Sequence, residues 1–262
     1  MSRVVRGIAV VFFVAMVYLI AAEGLAPWIA LPQLDNVGFT LVFVVFALAH
    51  CWAVAGGRRT LVYFLAAAVI SYALEEVGVH TGLVYGPYHY SDALGVKLDV
   101  VPVLIPLAWF MMIYPSWSVA RAILRGVDVD SIGGVVVQAL IAALVMSAWD
   151  AVMDPSMSAA GVWVWQQGGP YFGVPLRNYV GWIVTTFIVY CVAGVLWRRP
   201  RVEERGLFAA LPVILYAVYA LAYLTPKHLP ALQVVALFAM GTPALIALAR
   251  VALPAGYSTR SA

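Results

Sequence analysis

The stretch from Met1 to Gly24, MSRVVRGIAVVFFVAMVYLIAAEG, decides the fold. Arg3 and Arg6 precede an apolar run, as in a secretory leader, but the run is long and no clear small-residue cleavage site follows it. It is therefore read as a retained membrane span. A bilayer core about 30 Å thick needs roughly 20 apolar residues per helix. The same ruler, moved along the chain from this first span near 5–23, places others near 37–55, 60–80, 101–121, 132–150, 179–197, 206–224 and 230–250. The expected fold class is all-α: a polytopic integral membrane helix bundle of about eight transmembrane helices, with residues 1–262 as a single transmembrane domain.

Composition agrees. Of the 262 residues 65% are hydrophobic and 10% charged, and the mean hydropathy of +0.97 lies far above that of a water-soluble globule. A net charge of +3 gives no ground for a nucleic-acid partner, because membrane proteins carry loop Arg and Lys for topological reasons. Cys51 and Cys191 stand alone in apolar runs and have neither disulfide-framework nor zinc-ligand spacing. The basic residues are sharply sorted by the threading. Arg3, Arg6, Arg58, Arg59, Arg121, Arg125, Arg198, Arg199, Arg201, Arg205, Arg250 and Arg260 fall on one side, and Lys97, Arg177 and Lys227 on the other. Twelve against three is a positive-inside pattern that puts both termini in the cytoplasm and makes the chain a multi-pass protein of the cell membrane.

On the opposite face the chain gathers its polar chemistry. EEVGVHTGLVYGPYHYSD, Glu75 to Asp92, leaves the third span, and WDAVMDPSM, Trp149 to Met157, leaves the fifth. Each runs into a loop of Gly, Pro and aromatic residues, and each carboxylate, Glu75 and Asp154, lies seven residues before a glycine, Gly82 and Gly161. The loops also close alike, with Gly-Val-x-Leu at Gly95–Leu98 and Gly173–Leu176. This reads as a weak parallel repeat of helix, loop and helix about an axis along the membrane normal, with two carboxylates around that axis. Aromatic belts and Gly/Pro turns of a membrane interface explain the loops alone equally well.

Glu76 and His80 are four residues apart and share a helix face, whereas Glu75 projects roughly 100° away. One glutamate is then a catalytic candidate and the other an anchor. The fifth-span pair, Asp150 and Asp154, is expected at the helix end, because Pro155 disfavours helix at Asp154. A sheltered carboxylic acid is a usable general acid. Candidate catalytic residues are therefore Glu75, Glu76, Asp150, Asp154 and His80, with the proton donor among them left open. Four histidines, at 50, 80, 89 and 228, show no repeated His boxes of a di-iron oxygenase. Zinc held by His80, His89 and one carboxylate is conceivable by ligand type, but a hydrogen-bonding histidine in a polar cleft is the better account. No phosphate-binding glycine loop or nucleophile elbow occurs. Proton chemistry is expected, with no metal and no cofactor.

The three motifs in order, EEVGVHTGLVYGPYHYSDALGVKLDVVPVLIPLAWFMMIYPSW, WDAVMDPSM and GVWVWQQGGPYFGVPLRNYVGW, resemble the membrane carotenoid biosynthesis protein family that includes the CruF-type carotenoid 1,2-hydratases and bisanhydrobacterioruberin hydratases. The likeness covers residues 71–182. It implies a hydro-lyase that adds water across the terminal isoprenoid double bond of an acyclic carotenoid and gives a tertiary alcohol. The partners would be the carotenoid, the lipid bilayer and other carotenoid biosynthesis enzymes. Such a reaction passes through a tertiary carbocation, and Tyr85, Tyr88, His89, Trp163, Trp165, Tyr171 and Asn178 are the residues expected to bind the substrate. Two other classes are distinguishable. A transporter would show polar residues at the bilayer midplane, which spans six to eight nearly lack; a carotenoid-binding protein without activity would have no need of the carboxyl groups.

Overall fold

The structure is a computed structural model that describes residues 2–196 and 206–253. Its helices are α1 (Ser2–Leu25), α2 (Asn36–Ala55), α3 (Gly57–Thr81), α4 (Ile105–Ile123), α5 (Ile132–Ala159), α6 (Leu176–Leu196), α7 (Leu207–Ala222), α8 (Pro230–Val235) and α9 (Gly241–Ala252). A π-helical turn, Ala236–Met240, joins α8 to α9, so that the two make one pass. Each of the eight expected segments contains helix, in order, in a polytopic membrane helix bundle. Among the described residues six passes are long and apolar enough to cross a membrane, and α7 is a shorter apolar helix. The remaining pass, α4, packs against α2, α3, α5, α7 and α9. Surrounded in this way, it need not be uniformly lipophilic, and it buries Trp109, Tyr114, Ser116 and Trp117.

Local chemistry sets the helix limits. Asp35 caps α2 by accepting from the Gly38 amide at 2.8 Å, and Ser131 caps α5 by accepting from Gly134 at 3.1 Å. Gly82, in the left-handed region at φ 67°, ends α3 and returns its amide to Gly78 O at 2.8 Å. The fifth helix departs from expectation. It continues through Pro155 to Ala159, so that Asp150 and Asp154 lie inside it and not at its end. Proline has no amide hydrogen and leaves the carbonyl four residues back without a helical partner. That carbonyl, on Ala151, accepts a hydrogen bond from the Tyr171 hydroxyl at 3.0 Å.

The basic ends cluster as the threading requires. Arg6 lies over the Phe208 ring at 4.6 Å, and Arg125 Nη1 donates to Arg250 O at 2.6 Å. At the other end of the bundle Lys227 meets Glu23 at 2.6 Å. Arg198, Arg199, Arg201, Arg205 and Arg260 lie outside the described residues.

The all-α expectation omitted a small feature that proves to matter. The two aromatic loops form strands β1 (Tyr88–Tyr90) and β4 (Trp163–Trp165), paired antiparallel with Tyr88 opposite Trp165 and Tyr90 opposite Trp163. A second ribbon joins β2 (Lys97–Leu98) to β3 (Val101–Pro102) just before α4.

Candidate active site

Under the β1–β4 ribbon lies a cavity of about 320 Å³, lined by Glu75 and Asp154 together with Asn178 and aromatic side chains from both loops and from α4 and α6. The two carboxylates reach it by the same construction. Each comes from the last turns of a helix, is held by an aromatic of its own loop strand, and is held again by the helix that follows. Glu75 of α3 accepts from the hydroxyls of Tyr88 and Tyr90, the latter at 2.9 Å, and from Trp109 Nε1 of α4 at 2.9 Å. Asp154 of α5 accepts from Trp163 Nε1 and, at 2.5 Å, from Asn178 Nδ2 of α6. Both also lie seven residues before a left-handed glycine, Gly82 at φ 67° and Gly161 at φ 70°. The loop after Gly161 is shorter: one residue separates it from Trp163, against five between Gly82 and Tyr88.

Strand alternation selects the side chains. Tyr88 and Tyr90 point inward and are buried, while His89 between them is exposed. Of the residues expected at the site, Glu75, Asp154, Tyr85, Tyr88, Trp163, Trp165 and Asn178 line the cavity. Asp150 is fully buried one turn behind Asp154, where its Oδ2 accepts from the same Asn178 amide at 3.1 Å and its Oδ1 has no hydrogen-bond partner. The structure separates the others from the cavity. Glu76 and His80 lie on the neighbouring face of α3, where His80 Nε2 is 2.7 Å from Asp99 and 3.5 Å from Glu76. His89 faces outward, and Tyr171 is committed to the Ala151 carbonyl.

Among the expected aromatic residues Tyr88 meets Trp165 at 5.0 Å. The cavity also has walls that were not among the expected site residues: Trp109 stacks on Trp182 at 4.1 Å between centroids. Trp149, Met153 and Tyr219 complete the apolar side, and Glu23, Gln33, Lys227 and His228 a polar one toward the α1–α2 linker and the α7–α8 loop. Trp109 and Trp182 sit four and six residues inside apolar spans, where an aromatic residue looks like core. Tyr85 is gripped between α3 and α6: a β-carbon on Gly78 would stand 2.7 Å from its ring, and one on Gly181 2.5 Å. Burial raises the phenols of Tyr88 and Tyr90 well above the ordinary tyrosine range, and the neighbouring Glu75 adds to this. Both therefore remain hydrogen-bond donors at any physiological pH.

In chemical terms the cavity is an aromatic-walled chamber lined by two carboxyl groups, Glu75 and Asp154. It can give a proton at one position, stabilise a cation against ring faces, and take a proton at the other.

Comparison with known proteins bears on this chamber. The chain is 31% identical over 208 residues to a protein of Haloarcula japonica named bisanhydrobacterioruberin hydratase, and the match spans 76% of this chain and 67% of that relative. No solved structure matches. The family of carotenoid biosynthesis proteins matches residues 36–254, a wider region than the 71–182 core that carries the motifs, and takes in both carboxylates, the ribbon over them and every helix but α1. This chain is a member of the carotenoid biosynthesis protein family.

Proposed function

We propose that this protein is a carotenoid hydratase, a hydro-lyase of the cell membrane that adds water across the terminal isoprenoid double bond of an acyclic carotenoid end group. The observation that carries this reading is the meeting of Glu75 and Asp154 in one aromatic-lined cavity. The relative's name supplies the reaction class. At about 320 Å³ the cavity is at the lower end of small-molecule pockets, which run from about 300 to 1,000 Å³. It takes a chain end, while the rest of the polyene lies along the bundle among the lipids, where other carotenoid biosynthesis enzymes can pass it on.

The roles divide by the hydrogen bonds. Three donors converge on Glu75, an arrangement that fits a carboxylate. Asp150 and Asp154 share one amide, and two carboxyl groups so close are best accommodated when one of them carries a proton. In this reading Asp154 is the acid that faces the substrate, and Asp150 stands behind it. Transfer of its proton to the inner, hydrogen-bearing carbon of the terminal double bond uses the π electrons of that bond to form the new C–H bond and leaves a tertiary carbocation on the dimethyl-bearing carbon. Tyr88, Trp165, Trp109 and Trp182 line the cavity and offer aromatic surface to such a cation, each favourable cation–π contact contributing about 0.5–2 kcal/mol. Water adds to the cation through its lone pair, and Glu75 takes the proton released. Return of that proton to Asp154 through cavity water closes the cycle. No electron leaves or enters, so the reaction needs no redox partner.

Expression in a lycopene-producing host, followed by pigment chromatography and mass spectrometry, tests the reading. The expected product is heavier by one water per modified end and behaves as a tertiary alcohol. Recovery of unmodified pigment, whether free or bound to the purified protein, would overturn it in favour of a binding role.

A further inference from the structure

Asp150 is fully buried on α5 and does not line the cavity, so it cannot reach the substrate itself. We propose that Asp150 Oδ1 and the Tyr179 hydroxyl together bind an ordered water molecule, and that Tyr179, through this water, keeps the acidic proton of the aspartate pair on Asp154.

Four oxygens belong to the pair. Asp154 Oδ1 accepts from Trp163 Nε1, and Asp154 Oδ2 and Asp150 Oδ2 both accept from Asn178 Nδ2. Asp150 Oδ1 alone has no hydrogen-bond partner among the described residues. A buried acceptor left in this way is costly. A donor in the same condition belongs to the same junction of α5 and α6. Tyr179, the residue after Asn178, has a buried hydroxyl without a partner. Its ring stands edge-on to that of Tyr171, with centroids 5.3 Å apart at 86°. Tyr171 in turn donates to the carbonyl of Ala151, the residue after Asp150. Asp150 heads the charged groups that act on the Tyr179 phenol, and Asp154 comes next. Buried waters sit where two or more polar groups lack partners. One between these two would accept from Tyr179 and donate to Asp150 Oδ1.

The consequence is for the proton. Counted by protein donors alone, Asp154 has two and Asp150 one. That favours charge on Asp154 and the proton on Asp150, away from the substrate. A donor at Asp150 Oδ1 evens the count, so that Asp150 can carry the charge while Asp154 keeps the proton. It also supplies the last missing hydrogen bond once that proton has gone and both carboxyls are charged. Tyr179 is a positioning residue, acting through Asp150 and touching no reacting atom. Asp154 is the acid only under the hydratase reading, on which this role for Tyr179 rests.

The experiment is infrared spectroscopy of the carboxyl region on the full chain in detergent, with isotope-labelled aspartate, alongside kinetics on pigment. The wild type should show a protonated aspartate that Asp154→Asn removes. Adding Tyr179→Phe to Asp154→Asn should bring a protonated aspartate back, because Asp150 then lacks its donor. Phenylalanine keeps the ring that packs on Tyr171, and Tyr179→Phe alone should lower kcat about tenfold or more with KM little changed. If the wild type shows no protonated aspartate, if Asp154→Asn keeps one, or if the double variant shows none, the proposal fails. A fall in kcat without these infrared changes marks Tyr179 as structural only and overturns it equally. The infrared test needs no turnover, so its failure and that of the hydratase reading are seen separately.

Discussion

Asn178 Nδ2 lies 2.5 Å from Asp154 Oδ2, and the same amide reaches Asp150 at 3.1 Å. One neutral side chain on α6 thus orients two buried carboxyl groups of α5. Asn178→Leu keeps the bulk and removes the donor. Left without it, the carboxyls lose a hydrogen bond worth about 1.5–3 kcal/mol when charged. Pigment turnover in the purified variant should fall at least tenfold, with carotenoid binding retained in a spectral titration.

Amide substitutions separate the carboxylates. Glu75→Gln and Asp154→Asn line the cavity and should each lower turnover by about 10²- to 10⁴-fold, the usual range for loss of general acid or base catalysis. Asp150→Asn should cost less than Asp154→Asn, and Glu76→Gln should stay within a few-fold of wild type. Turnover measured on equal amounts of inserted protein is the readout, and a wild-type rate for both Glu75→Gln and Asp154→Asn would reject the mechanism.

Tyr171 and Pro155 should be energetically coupled. With Pro155 present, the Ala151 carbonyl depends on the Tyr171 hydroxyl, so Tyr171→Phe should destabilise the protein by about 1–3 kcal/mol. In a Pro155→Ala background the helix can supply an amide to that carbonyl, and the same change should cost much less. A double-mutant cycle on thermal or denaturant unfolding gives the coupling directly, and additivity would disprove it.

Much of the fold was legible because a bilayer imposes one length and one polarity on every span. Each of the eight apolar runs became helix, and the equal spacing of Glu75 to Gly82 and Asp154 to Gly161 became two carboxylates that each lie seven residues before a left-handed glycine. Pro155 misled, since a helix inside a bundle tolerates proline when another side chain serves the freed carbonyl, and that side chain is sixteen residues away in a loop. His80 and Glu76 misled differently. Their helical spacing was right, but only the β2–β3 turn, which brings Asp99 to them, shows which way that face looks. Trp109 and Trp182 carried no local signal. Their part in the cavity depends on how α4 and α6 meet, and no periodicity records that.

Both chain ends should lie in the cytoplasm, following the sorting of basic residues to one end of the bundle. A reporter fused after Ala262 that requires a cytoplasmic location should be active, and one that requires export silent.

The ribbon over the cavity has a further consequence, for biogenesis. Its two strands belong to different helical hairpins, so Tyr88–Tyr90 cannot find its partner until Trp163–Trp165 has been synthesised. While the chain is still being threaded, the first loop therefore waits with unpaired backbone and with Glu75 uncovered. The chamber closes only when the second loop arrives, and a chain halted after α4 would insert its helices and yet enclose nothing.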